Sequence, residues 1–207
     1  MADPARFWNR LAKRYARGAI SDPASYQRKL DETQALFTPD MRLLELGCGT
    51  GSTALLHAPH VAHIRATDFS EAMIQIARDK AAAAGIGNVA FEVASVDTLA
   101  ADPSSFDMVL ALSLLHLLED RAPALACIRD LLKPGGYFVS STVCLGETMG
   151  FFRYIAPLGK AVGLLPTLRV FTPDELARSI EEAGFGIETR WQPGKGKACF
   201  IIARKPG

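Results

Sequence analysis

The apolar positions of this chain change period several times, and each change marks an element. Near the start Phe7, Leu11, Ala12 and Tyr15 recur at helical spacing, with Arg10, Lys13, Arg14 and Arg17 on the other face, until Gly18 stops the run. Ser21-Asp22-Pro23 supplies a cap and a first-turn proline for a second helix through Tyr26, Leu30 and Leu36, which Thr38-Pro39-Asp40 ends. "MRLLELG" (41–47) is the first convincing strand. Ser52 to Ala58 predicts a short helix, "VAHIRATD" (61–68) a strand, and Ser70 to Ala84 a long helix terminated by Gly85. "NVAFEVAS" (88–95) is the next strand, and "FDMVLALS" (106–113) is apolar on both faces, as a central buried parallel strand must be. A helix from Asp120 to Leu132, the turn "KPGG" and the strand "YFVSSTV" (137–143) follow.

Strands alternating with helices from residue 42 to 143 predict a parallel sheet covered on both faces. The tail departs from that alternation. "FTPDELARSIEEAGF" (171–185) predicts a helix with Thr172 as N-cap, Pro173 at N1, Glu175 at N3 and Gly184 at its end. "IETRWQ" and "ACFIIAR", joined only by "PGKGK", must then be antiparallel neighbours. Residues 144–171 break the pattern and predict an inserted apolar helical segment carrying Phe151, Phe152, Tyr154, Ile155, Leu158, Val162, Leu164 and Leu165. That segment is either a cover for the core or a lid over an apolar acceptor, with Trp191 as a further candidate for the same pocket. The expected organisation is one domain, 1–207, with residues 1–37 as an N-terminal helical cap.

Chemistry concentrates at "ELGCGTG", where a strand ends, three glycines fall within five positions and a helix begins. This is the carboxyl edge of a parallel sheet, where open α/β folds bind ligands. Glycines there take positive φ and let the main chain approach a ligand without a Cβ between them. A plain strand-to-helix turn needs one glycine rather than three. A dinucleotide fingerprint would read G-x-G-x-x-G, whereas here the third glycine comes one position early and Ser52 stands where glycine is wanted. Asp68, ending the next strand, can accept hydrogen bonds from both ribose hydroxyls of a nucleoside, or can cap the helix that follows. Phe69 and Met73 would offer apolar surface to an adenine ring.

Together "LLELGCGTG", "TDFSEAMIQIAR", "FDMVLALSLLHLLED" and "LLKPGGYFVSS" resemble the class I S-adenosylmethionine-dependent methyltransferases, in particular the small-molecule type that includes ubiquinone and menaquinone biosynthesis enzymes. The resemblance implies a Rossmann-like, seven-stranded, mostly parallel α/β sheet of order 3-2-1-4-5-7-6 with an antiparallel last strand. It also implies S-adenosyl-L-methionine as cofactor and S-adenosyl-L-homocysteine as product. By the same resemblance Glu45, Gly47, Cys48, Gly49, Thr50 and Gly51 form the loop under the methionine part, Asp68 takes the ribose, and Phe69 and Met73 take the adenine face. Relatives often end the third strand in Gly-Asp, and here Ala94-Ser95 stands instead, so adenine recognition falls to Ser95, main-chain Val96 or Asp97. The carbonyl of Leu112 is expected to meet the cofactor's amino group, and Tyr15 and Tyr26 to close over its methionine end.

Methyl transfer from a sulfonium needs a nucleophile held in line and water excluded, and needs a base only where the nucleophile must lose a proton. His116, just past the fourth strand, is the candidate base; the alternative is a packing histidine. His57, His60 and His63 lack an interleaved carboxylate or cysteine and read as a packed or solvated cluster rather than a metal site. No metal is expected.

Composition narrows the class little. With 22% charged residues, a net charge of +1 and four dispersed cysteines, the chain suits a cytoplasmic protein with a small-molecule acceptor, working as a monomer or homodimer. Neither a nucleic-acid partner nor stable membrane insertion is expected. The N-terminal stretch lacks the apolar core of a signal peptide, and "FFRYIAPLGKAVGLLP" contains Arg153 and Lys160 and is too short to span a bilayer. The basic face of the first helix (Arg6, Arg10, Lys13, Arg14, Arg17) reads as solvated surface, with an anionic acceptor or a membrane surface as the alternative contact. The rival functions are a nicotinamide-dependent NAD(P) oxidoreductase and a non-catalytic S-adenosylmethionine-binding protein.

Overall fold

The computed structural model describes residues 4–148 and 168–207. Within them seven strands form one sheet of order β3-β2-β1-β4-β5-β7-β6 with helices around it, the order expected. The chain makes two compact units, Met1–Ala100 and Ala101–Gly207.

In the first unit, α1 (Pro4–Arg17) and α2 (Pro23–Gln34) precede β1 (Arg42–Leu46), α3 (Ser52–His57), β2 (His63–Asp68), α4 (Glu71–Ala83) and β3 (Val89–Val93). The Asp22 side chain accepts from the Ser25 N–H at 3.1 Å and caps α2, as Ser-Asp-Pro foretold. β1 and β2 pair in parallel from Arg42–His63 to Leu46–Thr67, and β2 and β3 from Ile64–Val89 to Asp68–Val93. Leu43, Leu44, Leu46, Ile64 and Ala66 of the strands and Met73, Ile74 and Ala77 of α4 are all buried. Amphipathic helices are stable mainly through such packing of one face.

The second unit comprises β4 (Phe106–Leu112), α5 (Ala122–Leu131), β5 (Leu132–Val143), α6 (Pro173–Glu182), β6 (Gly186–Trp191) and β7 (Ala198–Arg204). Met108 to Ala111 are fully buried, as the run of apolar residues on both faces of β4 requires. β4 and β5 are parallel, while β7 pairs antiparallel with both β5 and β6. All four capping features of α6 stand as read. The Thr172 hydroxyl accepts from the Glu175 N–H at 3.2 Å, and Glu175 accepts from the Thr172 N–H at 2.7 Å.

α2 ends at Gln34, short of the Leu36 expected from the sequence, and a larger difference lies at β5. Lys133-Pro134-Gly135-Gly136 is not a turn ahead of β5 but an irregular stretch inside it, with Phe106 opposite Leu132 and pairing resuming at Met108–Tyr137. Gly136 lies there because a Cβ would sit 2.9 Å from the Lys133 carbonyl and 3.0 Å from the Asp107 carbonyl. The expected apolar insertion falls mostly on residues 149–167, outside the described residues. Its flanks are held together: the Gly146 N–H donates to the Phe171 carbonyl at 2.9 Å, beside a 3-10 turn at Leu145–Glu147. Among the described residues no helix is long and apolar enough to cross a membrane.

Candidate functional site

β1 delivers the chain into Gly47-Cys48-Gly49-Thr50-Gly51, and φ is +66°, +53° and +72° at its three glycines. Two of those glycines serve different ends. A Cβ on Gly49 would meet only Tyr15 Cε1, at 3.7 Å, so this part of the loop lies open. A Cβ on Gly51 would stand 2.7 Å from the Phe91 ring and 2.8 Å from Ala77 Cβ, so the third glycine lets the loop close onto α4 and β3. The loop is otherwise tied down by its own backbone. The Cys48 N–H donates to the Thr67 carbonyl at 2.9 Å, and the Gly51 N–H to the Cys48 carbonyl at 3.0 Å. From α4, Lys80 Nζ donates to both Thr50 Oγ1 and Ser52 Oγ at 3.0 Å.

Two carboxyl groups stand behind the loop. Asp68, at the end of β2, accepts from the Gly49 N–H at 3.0 Å through one oxygen and from the Ser70 N–H at 2.8 Å through the other. Burial pushes its pKa up while those two backbone donors pull it down. It therefore braces the loop, whereas the cap of α4 is Ser70, whose hydroxyl accepts from the Met73 N–H. Glu45 is only 2% exposed, and its Oε2 has no hydrogen-bond partner. Burial, reinforced by Asp68, pushes its pKa up to about 8. An unpartnered buried carboxyl oxygen is costly, and it is best satisfied by a cationic or hydrogen-donating group. The Cys48 thiol beside them is pushed up by burial and by both carboxylates, so it is no nucleophile.

Tyr15 faces the same corner. Its phenol is held above the ordinary value by desolvation and by Asp68 and Glu45, although the residue as a whole is 53% exposed. Tyr26 shares a 3.0 Å hydrogen bond with Thr53 Oγ1, which joins α2 to α3. Phe69 is half-buried, but Met73 is 2% exposed and packs in the core, leaving little surface of its own for a ring. Ser95 is occupied locally: its N–H donates to Thr98 Oγ1 at 2.9 Å and its hydroxyl lies 3.2 Å from the same oxygen. Val96 and Asp97 lie in that turn, Val96 half-buried and Asp97 exposed. The first unit thus brings Tyr15, Glu45, the glycine loop and Asp68 together.

Leu112 and His116 belong to the second unit. Leu112 ends β4, and Ser113 takes φ +63° with its N–H on the Ser141 carbonyl, a left-handed turn at a non-glycine residue. His116 follows in a 3-10 turn, Leu115–Leu117, and its carbonyl accepts from the Arg169 N–H at 2.8 Å. It is 9% exposed, Nδ1 has no partner, and burial lowers its pKa to about 4, so the ring is neutral. His57 is also neutral, lowered to about 4, and packs edge-on against Phe37 at 5.0 Å. His60 lies on the same ring at 6.5 Å. Trp191 packs on Phe200, with ring centroids 5.3 Å apart.

Sequence reasoning missed Asn9, Thr53, Lys80 and Phe91. Asn9 is the most telling: its Oδ1 accepts from the Ser70 hydroxyl at 2.7 Å and from the Ala72 N–H at 3.2 Å, tying α1 to the start of α4. No local pattern marks a contact between residues 61 positions apart.

Residues 43–136 match the family model described as a methyltransferase domain. The ubiquinone biosynthesis O-methyltransferase of Xylella fastidiosa (strain 9a5c) is 31% identical over 169 residues, which are 76% of this chain and 67% of that protein. Among solved structures, an S-adenosylmethionine-dependent methyltransferase from Mesorhizobium loti superposes with a TM-score of 0.72 at 22% identity, covering 89% of this chain and 99% of that one. One from Methanosarcina mazei gives 0.70 at 21%, covering 84% and 97%.

Proposed function

Since the chain belongs to the class I S-adenosylmethionine-dependent methyltransferases and uses that cofactor, we propose that it methylates a hydroxyl oxygen of a small lipophilic or aromatic molecule. The observation that carries the cofactor half is Glu45: a buried carboxyl with an unpartnered oxygen, next to a bare glycine loop. The acceptor half is supported by the relative named as a ubiquinone biosynthesis O-methyltransferase and by the apolar run in residues 151–165 of the sequence.

Bound to the chain, S-adenosylmethionine supplies an electrophilic methyl carbon on its sulfonium. Glu45 would face a cationic group of the methionine end, gaining the partner that Oε2 lacks. Gly47, Cys48, Gly49, Thr50 and Gly51 would hold that end by main-chain groups, with only Tyr15 near the space a Cβ would take at Gly49. Asp68 would accept the ribose hydroxyls on lone pairs left over from the Gly49 and Ser70 N–H groups, which already fix its orientation. Phe69 would cover the adenine, with Met73 supporting it from the core. Val96 and Asp97 are better placed than Ser95 for the adenine amino group, because the Ser95 hydroxyl is engaged with Thr98. Tyr15 and Tyr26 would close over the methionine end, and the Leu112 carbonyl would accept from its amino group.

His116 is proposed to take the acceptor's proton. It is neutral, buried and carries a nitrogen with no partner, so a hydroxyl would satisfy it. Its low pKa makes it a weak base, which suits an acidic hydroxyl such as a phenol better than an aliphatic alcohol.

Calorimetric titration with S-adenosylmethionine, S-adenosylhomocysteine and NADH, with Asp68→Ala alongside, tests the cofactor half. Binding of both adenosyl ligands, weakened at least tenfold in the variant, is expected; binding of NADH alone would overturn the reading. A screen of phenols for S-adenosylhomocysteine release then tests the acceptor half, with His116→Gln expected to lower kcat about a hundredfold while cofactor affinity stays unchanged.

A further inference from the structure

α1 carries Arg6, Arg10, Lys13, Arg14 and Arg17 and no acidic residue. At about 100° per residue these five fall within an arc of about 100°, a single stripe about 16 Å long. All five are exposed, and none of their side chains has a hydrogen bond or ion pair to any described residue. The chain as a whole nets +1, so its other segments together carry −4. α1 is thus a stretch of cations without acidic residues, as is the C-terminal stretch 189–207, which also carries five. An intramolecular purpose would show as ion pairs, as it does for Arg65–Glu92 at 2.7 Å and Lys133–Asp107 at 2.6 Å.

The opposite side of α1 is committed elsewhere. Ala12 is fully buried there, and Asn9, beside the edge of the stripe, ties the helix to the start of α4. Between the basic stripe and that docked side lie Phe7 and Leu11, only half covered, then Tyr15. Cations bordered by incompletely buried apolar side chains, on a helix lying flat along its length, are the layout of an interfacial helix. Nucleic-acid surfaces differ: they send side chains into a groove or stack bases on aromatic platforms, and α1 offers neither.

We infer that α1 is a docking face for an anionic lipid bilayer, binding through its five-cation stripe with Phe7 and Leu11 at the acyl boundary. The inference is independent of the acceptor reading, since α1 can dock whatever the acceptor is.

Flotation with vesicles of phosphatidylcholine alone, and of an equal mixture with phosphatidylglycerol, tests it. Binding is expected only to the mixture, and it should fall steeply as NaCl is added. Arg6→Gln/Arg10→Gln/Lys13→Gln should weaken it by about a hundredfold, whereas Arg10→Lys/Arg14→Lys should retain it. The triple variant should still bind S-adenosylmethionine in calorimetry, showing that its fold and cofactor loop persist. Equal binding to both vesicle types, insensitivity to salt, or an unaffected triple variant would each overturn the inference. So would binding to an arbitrary RNA or DNA duplex at lower protein concentration than to the mixed vesicles.

Discussion

At Gly51 an added methyl carbon would sit 2.7 Å from the Phe91 ring and 2.8 Å from Ala77 Cβ; at Gly49 it would find only Tyr15, at 3.7 Å. Both residues are left-handed, so alanine at either strains the backbone by about 1 kcal/mol. Only at Gly51 is overpacking added, for a total of about 2–4 kcal/mol. Urea unfolding should therefore show Gly51→Ala strongly destabilised and Gly49→Ala mildly so. Calorimetry should show the reverse emphasis, with Gly49→Ala folded yet impaired in S-adenosylmethionine binding. Equal destabilisation of the two would mean that the loop's glycines share one structural task. The spacing of the glycines announced a ligand loop in the sequence, but their separate reasons were not legible there. Phe91 and Ala77 come to Gly51 only through the parallel pairing of β2 with β3 and the return of α4. Glu45 was legible as a loop residue, while its unpartnered oxygen was not, because burial and hydrogen-bond satisfaction are tertiary facts.

Whole elements were read more fully than the contacts between them. Thr172-Pro173-Asp174-Glu175 is a cap written within four residues, and both of its reciprocal bonds are present. Thr172→Ala should cost about 1 kcal/mol in urea unfolding, and Thr172→Ser should restore most of it. Asn9 holds the opposite lesson. Its side chain serves α4, a helix that begins 62 residues later, and helical periodicity assigns it merely to the polar margin of α1. Asn9→Ala should remove the bond to Ala72 N–H and leave the Ser70 hydroxyl proton without its acceptor, at a cost of about 1 kcal/mol. Because α1 is then less firmly docked, amide exchange across Pro4–Arg17 should accelerate while Ala198–Arg204 stays protected. Uniform acceleration in both stretches would show that Asn9 supports global stability rather than the seating of α1. The Lys133–Gly136 stretch failed in sequence for a related reason. Pro-Gly-Gly chemistry marks an irregularity, but only the register against β4 shows that pairing begins before it.

For the molecule as a whole, Glu45 couples folding, cofactor and proton. Its pKa rises from an ordinary 4.5 to about 8 in the folded chain, so the folded state holds a proton that the unfolded state has released between those values. The contribution is fully present below pH 4.5 and is lost as pH climbs towards 8. A cationic cofactor group opposite Glu45 would reverse the preference and favour the carboxylate. Binding must then expel the proton, and affinity should rise with pH by up to about tenfold per unit until about pH 8. Since a ligand stabilises in proportion to the logarithm of its saturation ratio, the rise in unfolding temperature caused by S-adenosylmethionine should grow across that window. The Glu45 contribution to the cofactor-free protein falls over the same window. Other groups, notably His57 and His116 with pKa lowered to about 4, titrate there too, so the comparison is drawn against Glu45→Gln, which keeps them and removes both Glu45 slopes. Titration with S-adenosylmethionine at about pH 7 in two buffers of different ionisation enthalpy reads the proton directly. The wild type should release close to one proton per cofactor bound and Glu45→Gln almost none. Heats independent of the buffer in the wild type would mean that Glu45 keeps its proton in the complex, and that its buried oxygen meets a neutral donor rather than a cation.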